Sequence, residues 1–137
     1  MFTASHPGYA DNVINHIDPT GELIQHRFYR QHCILQDDVY VKDLRIFKNV
    51  SLKEIILVDN AVYSFGEQLE NGIPITPFKE DPRDTEFLNL IKYLDKIKDV
   101  EDVREYNNKA FSLRKIFKTN LEPFIQYYDF EECERML

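Results

Sequence analysis

Thr3, Lys42 and the run Ile55-Ile56-Leu57-Val58-Asp59-Asn60 supply, in that order, a hydroxyl, an ammonium and a carboxylate followed by an amide. Phosphoryl transfer through an aspartyl intermediate uses such groups: a hydroxyl and a cation hold the phosphoryl oxygens, an acid binds the metal, and a second carboxylate attacks. The first three are present. No Asp-x-Asp pair that could supply the attacking group occurs in the sequence.

Taken singly, each residue has an ordinary reading. A lysine in a turn is usually solvated, and Asp-Asn after an apolar run is a common turn signal. The elements around them lift the set above that level. Met1-Phe2 reads as the end of a strand, and Thr3-Ala4-Ser5 turns into a helix with Pro7 in its first turn. Tyr9, Val13, Ile14 and Ile17 are spaced to form its apolar face, and Asp18-Pro19-Thr20-Gly21 ends it. Short strands are expected over His26 to Arg30 and His32 to Leu35. Gln36-Asp37-Asp38 is a polar turn and Val39-Tyr40-Val41 resumes an extended pattern, with Lys42 at its end.

Ile55 to Val58 are apolar and mostly β-branched, the pattern of a strand in a parallel sheet covered on both faces. Asp59 then falls at the carboxyl end, where open α/β sheets bind ligands. Ile73-Pro74-Ile75 suits a short edge strand, since proline cannot donate to an inner ladder. Asp84 is expected to cap a helix that buries Phe87, Leu88, Ile91 and Leu94. A last helix is expected from near Val100, with Val103, Ala110, Leu113 and Phe117 as its apolar stripe. The tail beyond Pro123 gives no clear pattern.

Composition sets the outer limits. The 137 residues suffice for one domain with a core, and 43% hydrophobic and 13% aromatic content with four glycines describes a globular chain. With 24 acidic against 17 basic residues the net charge is −7, which disfavours nucleic acid as a partner. Basic residues gather only modestly, as Arg27, Arg30 and Lys42 and as Lys109, Arg114, Lys115 and Lys118. Cys33 and Cys133 are too few for a disulfide framework and read as reduced thiols. His6, His16, His26 and His32 match no zinc spacing. No apolar run approaches the roughly 20 residues of a membrane span.

The islands Phe2-Thr3-Ala4-Ser5, Tyr9-Ala10-Asp11, Arg30 with Cys33, Tyr40-Val41-Lys42-Asp43-Leu44, Leu57-Val58-Asp59-Asn60 and Asp84-Thr85-Glu86 resemble, in order, the phosphatase domain of the RNA polymerase II C-terminal-domain small phosphatases. These are also called nuclear-LIM-interactor-interacting-factor-like phosphatases, a branch of the haloacid dehalogenase superfamily. The resemblance covers residues 1–106, with 107–137 as a helical and acidic tail. It implies an α/β fold: an incomplete Rossmann-like core, a parallel sheet flanked by helices, with a small β-hairpin insertion. It also implies a Mg²⁺-dependent phosphoserine or phosphothreonine protein phosphatase. By that analogy Thr3 and Lys42 are catalytic, holding the phosphoryl group, and Asp59 and Asn60 bind the metal. Tyr9 and Arg30 hold the phosphorylated protein or peptide, against the plainer readings of helix packing and surface charge.

The family's opening Asp-x-Asp-x-Thr is absent from the sequence. In the family its strand lies between the strand ending at the threonine and the one ending at the metal-binding acid. The chain alone is therefore expected to be inactive and to bind Mg²⁺ weakly or not at all. A truncated protein, or a partner chain that supplies the missing strand, would account for the pattern. The alternative is a non-catalytic peptide-binding or scaffold protein of the same fold, like the receptor subunit of the mitochondrial inner-membrane translocase. Nucleus or cytoplasm is the expected location, with the mitochondrion tied to that alternative.

Overall fold

The structure is a computed structural model that describes residues 1–119, the last three as helical backbone. It divides into two compact units, Met1–Asp43 and one that begins at Leu44. Among the described residues the architecture is α/β, as expected from the sequence: a parallel strand pair, four α-helices and a separate hairpin. The parallel pair, its helices and the hairpin agree with an incomplete Rossmann-like core.

The first unit starts at a single parallel bridge between Phe2 and Phe28. Phe28 donates its N–H to Met1 O at 2.9 Å and Thr3 donates to Phe28 O at 2.9 Å, while the two rings meet at 5.7 Å. Helix α1 (Pro7–Ile17) follows, with Pro7 where its missing N–H costs nothing. The helix stops at Asp18, whose buried carboxylate accepts the N–H groups of Glu22, Leu23 and Ile24. Gly21, at φ +72°, turns the chain there in the left-handed region that glycine enters without a Cβ penalty. The buried side of α1 is Ala10 and Ile14; Tyr9, Val13 and Ile17 are exposed, so the apolar stripe expected at 9, 13, 14 and 17 holds only at Ile14.

The expected strand over His26 to Arg30 is reduced to the Phe28 bridge, and a 3-10 turn, Arg30–His32, takes the start of the next, which survives at Ile34 and Leu35. The Tyr29 N–H donates to His32 Nδ1 at 2.9 Å, a side-chain bond that favours the turn over a ladder. The hairpin is shorter and later: β1 (Ile34–Gln36) pairs antiparallel with β2 (Val39–Val41). Asp37 and Asp38 both have positive φ, 48° and 64°, the conformation of a tight two-residue hairpin turn.

The second unit is built on β3 (Leu57–Asp59) and β4 (Gly72–Pro74), paired in parallel with Leu57 opposite Gly72 and Asp59 opposite Pro74. The crossover between them is a kinked 3-10 run, Val62–Asn71, bent at Phe65 and Gln68. The strand expected from Ile55 begins two residues later, and β4, one residue earlier than expected, pairs on one side only, as an edge strand does, although its side chains are buried. Ile73 and Phe65 are fully buried, and a Cβ on Gly72 would overlap the Phe65 ring, so only glycine lets the crossover lie this close to the strand.

Helix α2 (Glu86–Ile97) starts where Asp84 Oδ1 accepts the Glu86 N–H at 2.8 Å, close to the expected cap. Its buried face is Leu90, Tyr93 and Ile97, with Leu94 partly buried against the same core; Phe87, Leu88 and Ile91 are exposed, so of the four residues expected to be buried only Leu94 packs inward. The helix is apolar around most of its girth, and periodicity alone does not say which stripe meets the core. The expected final helix is two: α3 (Val103–Phe111) and α4 (Leu113–Thr119), separated by Ser112 at φ 48°. Asp102 caps α3 by accepting the Arg104 N–H at 3.0 Å. Leu57, Phe65, Ile73, Leu90, Tyr93, Ile97, Ala110 and Phe111 belong to one core. The side chain of Phe117, Cys133 and the tail beyond Pro123 lie outside the described residues.

Candidate active site

Thr3, Tyr9, Arg30 and Lys42 lie in the first unit, Asp59 and Asn60 in the second. Thr3 is half-buried at the end of its bridge, and its hydroxyl oxygen accepts the Ser5 N–H at 3.1 Å. That bond fixes the side chain as a local turn device and leaves the hydroxyl hydrogen to be donated, as a phosphoryl oxygen requires. The three residues of this loop are each tied to the segment Phe28 to Arg30. Thr3 donates to Phe28 O, Ala4 O accepts Arg30 Nε at 2.7 Å, and Ser5 O accepts the Arg30 N–H at 3.1 Å.

Arg30 is exposed, and its guanidinium carbon sits 4.9 Å from the centroid of the Tyr40 ring. Such stacking is worth roughly 0.5–1 kcal/mol at an exposed site. Tyr40 is the middle residue of β2, and Lys42 follows the strand's last residue. Lys42 is buried, at 6% exposure, as is Asp43 at 7%. The solvated-turn reading of Lys42 is thereby removed, because a buried ammonium is retained only where charge or hydrogen bonds meet it. Tyr9, on the first turn of α1, is 68% exposed.

A second polar cluster braces α1. Asp11 Oδ1 accepts the Tyr29 hydroxyl at 2.6 Å and Arg27 Nη1 at 2.9 Å, and the same Nη1 reaches Asn15 Oδ1 at 2.9 Å. The Tyr29 hydroxyl first, then Arg27, hold the Asp11 carboxyl below its usual range, and the carboxylate pushes Tyr29 up. Sequence reasoning saw Asp11 and Tyr40 only as parts of islands and missed Tyr29. All three act through contacts between positions remote in sequence, which no local pattern announces.

In the second unit, Asp59 ends β3 at the strand's carboxyl end, as expected, with its Oδ1 accepting the Ala61 N–H at 2.8 Å. Its backbone O accepts the Ile75 N–H at 3.2 Å, which bypasses the donorless Pro74 and keeps the strand end in register. Asp59 is half-buried and Asn60 exposed. Asp59 and Asn60 offer hard oxygen donors, right in kind for Mg²⁺ but short in number. Among the described residues no group of three or more His, Cys, Asp or Glu gathers to hold an ion. Mg²⁺ commonly takes one or two carboxylates and completes its shell with water and phosphate oxygens, so the pair fits part of such a site.

Residues 1–104 match the family described as NLI interacting factor-like phosphatase. The CTD small phosphatase-like protein 2 of Dictyostelium discoideum is 42% identical over 113 residues, covering 82% of this chain and 20% of that protein. The nuclear envelope morphology protein 1 of Schizosaccharomyces pombe is 40% identical over 105 residues, covering 77% of this chain and 22% of its own length. The chain thus spans about a fifth of the length of these two relatives. A solved structure of the fission yeast RNA polymerase II CTD phosphatase with beryllium fluoride aligns over 98% of this chain and 39% of that one, at 16% identity and a TM-score of 0.47.

Proposed function

Because the chain belongs to the NLI interacting factor-like phosphatase family, we propose that it carries the phosphate-side and metal-side residues of a Mg²⁺-dependent protein serine/threonine phosphatase. The domain is residues 1–106, with 107–137 as its tail. Thr3 donates its hydroxyl hydrogen to a phosphoryl oxygen and Lys42 neutralises the charge that spreads over those oxygens in transfer. Asp59 and Asn60 are the residues that would hold Mg²⁺, which when bound would supply Lewis-acid chemistry. Tyr9 and Arg30 face the phosphorylated protein or peptide.

The attacking aspartate comes from outside residues 1–137, from an upstream segment or a partner chain, so these residues alone do not turn over phosphate esters. The nuclear envelope, named for one relative, is the proposed location.

The observation that carries this reading is the loop Thr3 to Ser5, fastened at all three residues, in one unit with a lysine too buried to be ordinary surface. The test is hydrolysis of a phosphoserine peptide and of para-nitrophenyl phosphate by the 137-residue chain, alone and fused to an upstream Asp-x-Asp-x-Thr strand. The chain alone is expected to be inert, and the fusion to hydrolyse both with Mg²⁺. Thr3→Ala and Lys42→Ala should each lower the fusion's kcat by about 100-fold or more, the scale of removing one charge-stabilising donor. Fusion turnover unaffected by Lys42→Ala would overturn the assignment. Peptide binding by a folded but inert fusion would make the domain a scaffold instead.

A further inference from the structure

Three groups of Arg30 are spent on the protein itself. The backbone N–H holds Ser5 O at 3.1 Å, the Nε–H holds Ala4 O at 2.7 Å, and the guanidinium plane lies over Tyr40 at 4.9 Å. The first two fasten the loop that begins at Thr3, and the third reaches the strand that runs on into Lys42.

From this geometry we infer that Arg30 is a positioning residue: it fixes the Thr3 hydroxyl relative to the Lys42 ammonium, and so sets the width of the phosphate site. The inference rests on the phosphatase reading and names a different duty from holding the peptide. A planar guanidinium can donate through Nε while its face stacks on a ring, because the two interactions use perpendicular directions. A lysine offers one nitrogen and cannot hold the Ala4 carbonyl and stack on Tyr40 as a plane at once. Charge at position 30 is therefore not sufficient; shape is.

The same geometry makes Tyr40 part of the device although it need touch no phosphate. Removing its ring leaves the Arg30 charge and its bond to Ala4 in place, but frees β2 from the loop. Tyr40→Leu thereby separates positioning from direct contact.

The experiment titrates inorganic phosphate into the 137-residue chain and follows Thr3 and Lys42 signals by NMR, with amide exchange at Thr3 and Ser5 and a thermal melt in parallel. The wild-type chain should bind phosphate weakly, with shifts at both residues that Thr3→Ala abolishes. Arg30→Lys and Tyr40→Leu should each weaken phosphate binding about tenfold, since small misplacements of a binding group cost on that scale or more. Both should speed exchange at Thr3 and Ser5 while leaving the melting midpoint in place.

Wild-type affinity in Tyr40→Leu beside a loss in Arg30→Lys would assign Arg30 a direct contact and end the positioning claim alone. A fall in melting midpoint that tracks every loss of affinity would reduce the residue to a structural one and end it too. No phosphate-dependent shift at Thr3 or Lys42 in the wild-type chain would sink the phosphatase reading, and this inference with it.

Discussion

Tyr93 and Asn107 meet in the second unit with 1% exposure each, the tyrosine hydroxyl donating to Asn107 Oδ1 at 2.8 Å. The asparagine's Nδ2 donates to Glu70 O at 2.9 Å, so one amide joins α2 and α3 to the crossover segment. Tyr93→Phe keeps the ring and strands a buried acceptor, which costs about 1–3 kcal/mol. The variant should show that loss in a denaturant melt, with the slope of the transition unchanged. At this scale the sequence was partly legible. Thr3 and Asp59 stand at the end of the bridge and of β3, as their flanking residues announced. The partners that give Thr3, Arg30 and Asp11 their geometry were hidden, because Phe28, Tyr40 and Tyr29 reach them across the fold.

At the scale of elements, α2 shows where pattern reading runs out. The stripes Leu90-Tyr93-Ile97 and Phe87-Leu88-Ile91 both have helical spacing, and only the first is buried. Burial of each aliphatic or aromatic side chain contributes roughly 1.5–3 kcal/mol, so the exposed stripe forgoes several such contributions. Leu90→Lys should unfold the second unit, whereas Ile91→Lys should leave the melting midpoint within a few degrees and raise solubility. Equal damage from the two would mean that both stripes are covered in solution. The hairpin turn, the start of α1 and the cap near Asp84 were readable because Pro7, Asp37-Asp38 and Asp84 act locally. The 3-10 turn at Arg30–His32 was not, since it depends on His32 accepting a backbone N–H where the residue types suggested a strand. The break at Ser112 was missed because serine carries no strong stop signal, although here, at a left-handed φ, its N–H and its hydroxyl both donate to Asn108 O.

Among the described residues the carboxyls whose titration shifts all move the same way. Asp11 is held down by the Tyr29 hydroxyl and Arg27, Asp18 by the N–H of Ile24 and its neighbours, and Glu70 by Arg114. Asp81 is lowered by Arg83, Asp95 by Lys98, and Asp102 by Arg104, to about 2. A carboxyl lowered on folding stabilises the fold above its unfolded pKa and loses that contribution as pH falls through the folded value. Six lowered carboxyls therefore predict stability that drains between about pH 4 and pH 2. The net charge of −7 works in the opposite sense at first, because self-repulsion eases toward the pI of 5.1. Melting midpoints should hold or rise slightly from neutral pH to near the pI and then drop steeply. Asp102→Asn should flatten part of that drop, and a midpoint indifferent to acid would contradict the ion pairs. The division into two units, by contrast, had no mark in composition: no Gly-, Pro- or Ser-rich linker lies at Asp43 and Leu44.

Asn71 and Gly72 form the joint where the crossover enters β4, with the Asn71 amide donating to the carbonyls of Leu52 and Ile55 at 2.6 Å each. Asn-Gly is also the dipeptide in which the following backbone nitrogen most easily attacks the side-chain carbonyl, closing a succinimide and expelling ammonia. In the fold that nitrogen donates to Leu69 O and the asparagine is 2% exposed, so the ring has neither a free attacker nor room to close. Unfolding lifts both restraints. The joint therefore records how long the chain has spent open: storage in denaturant should deamidate this site far faster than storage in buffer, and the resulting aspartate or isoaspartate would refold poorly against two carbonyl oxygens.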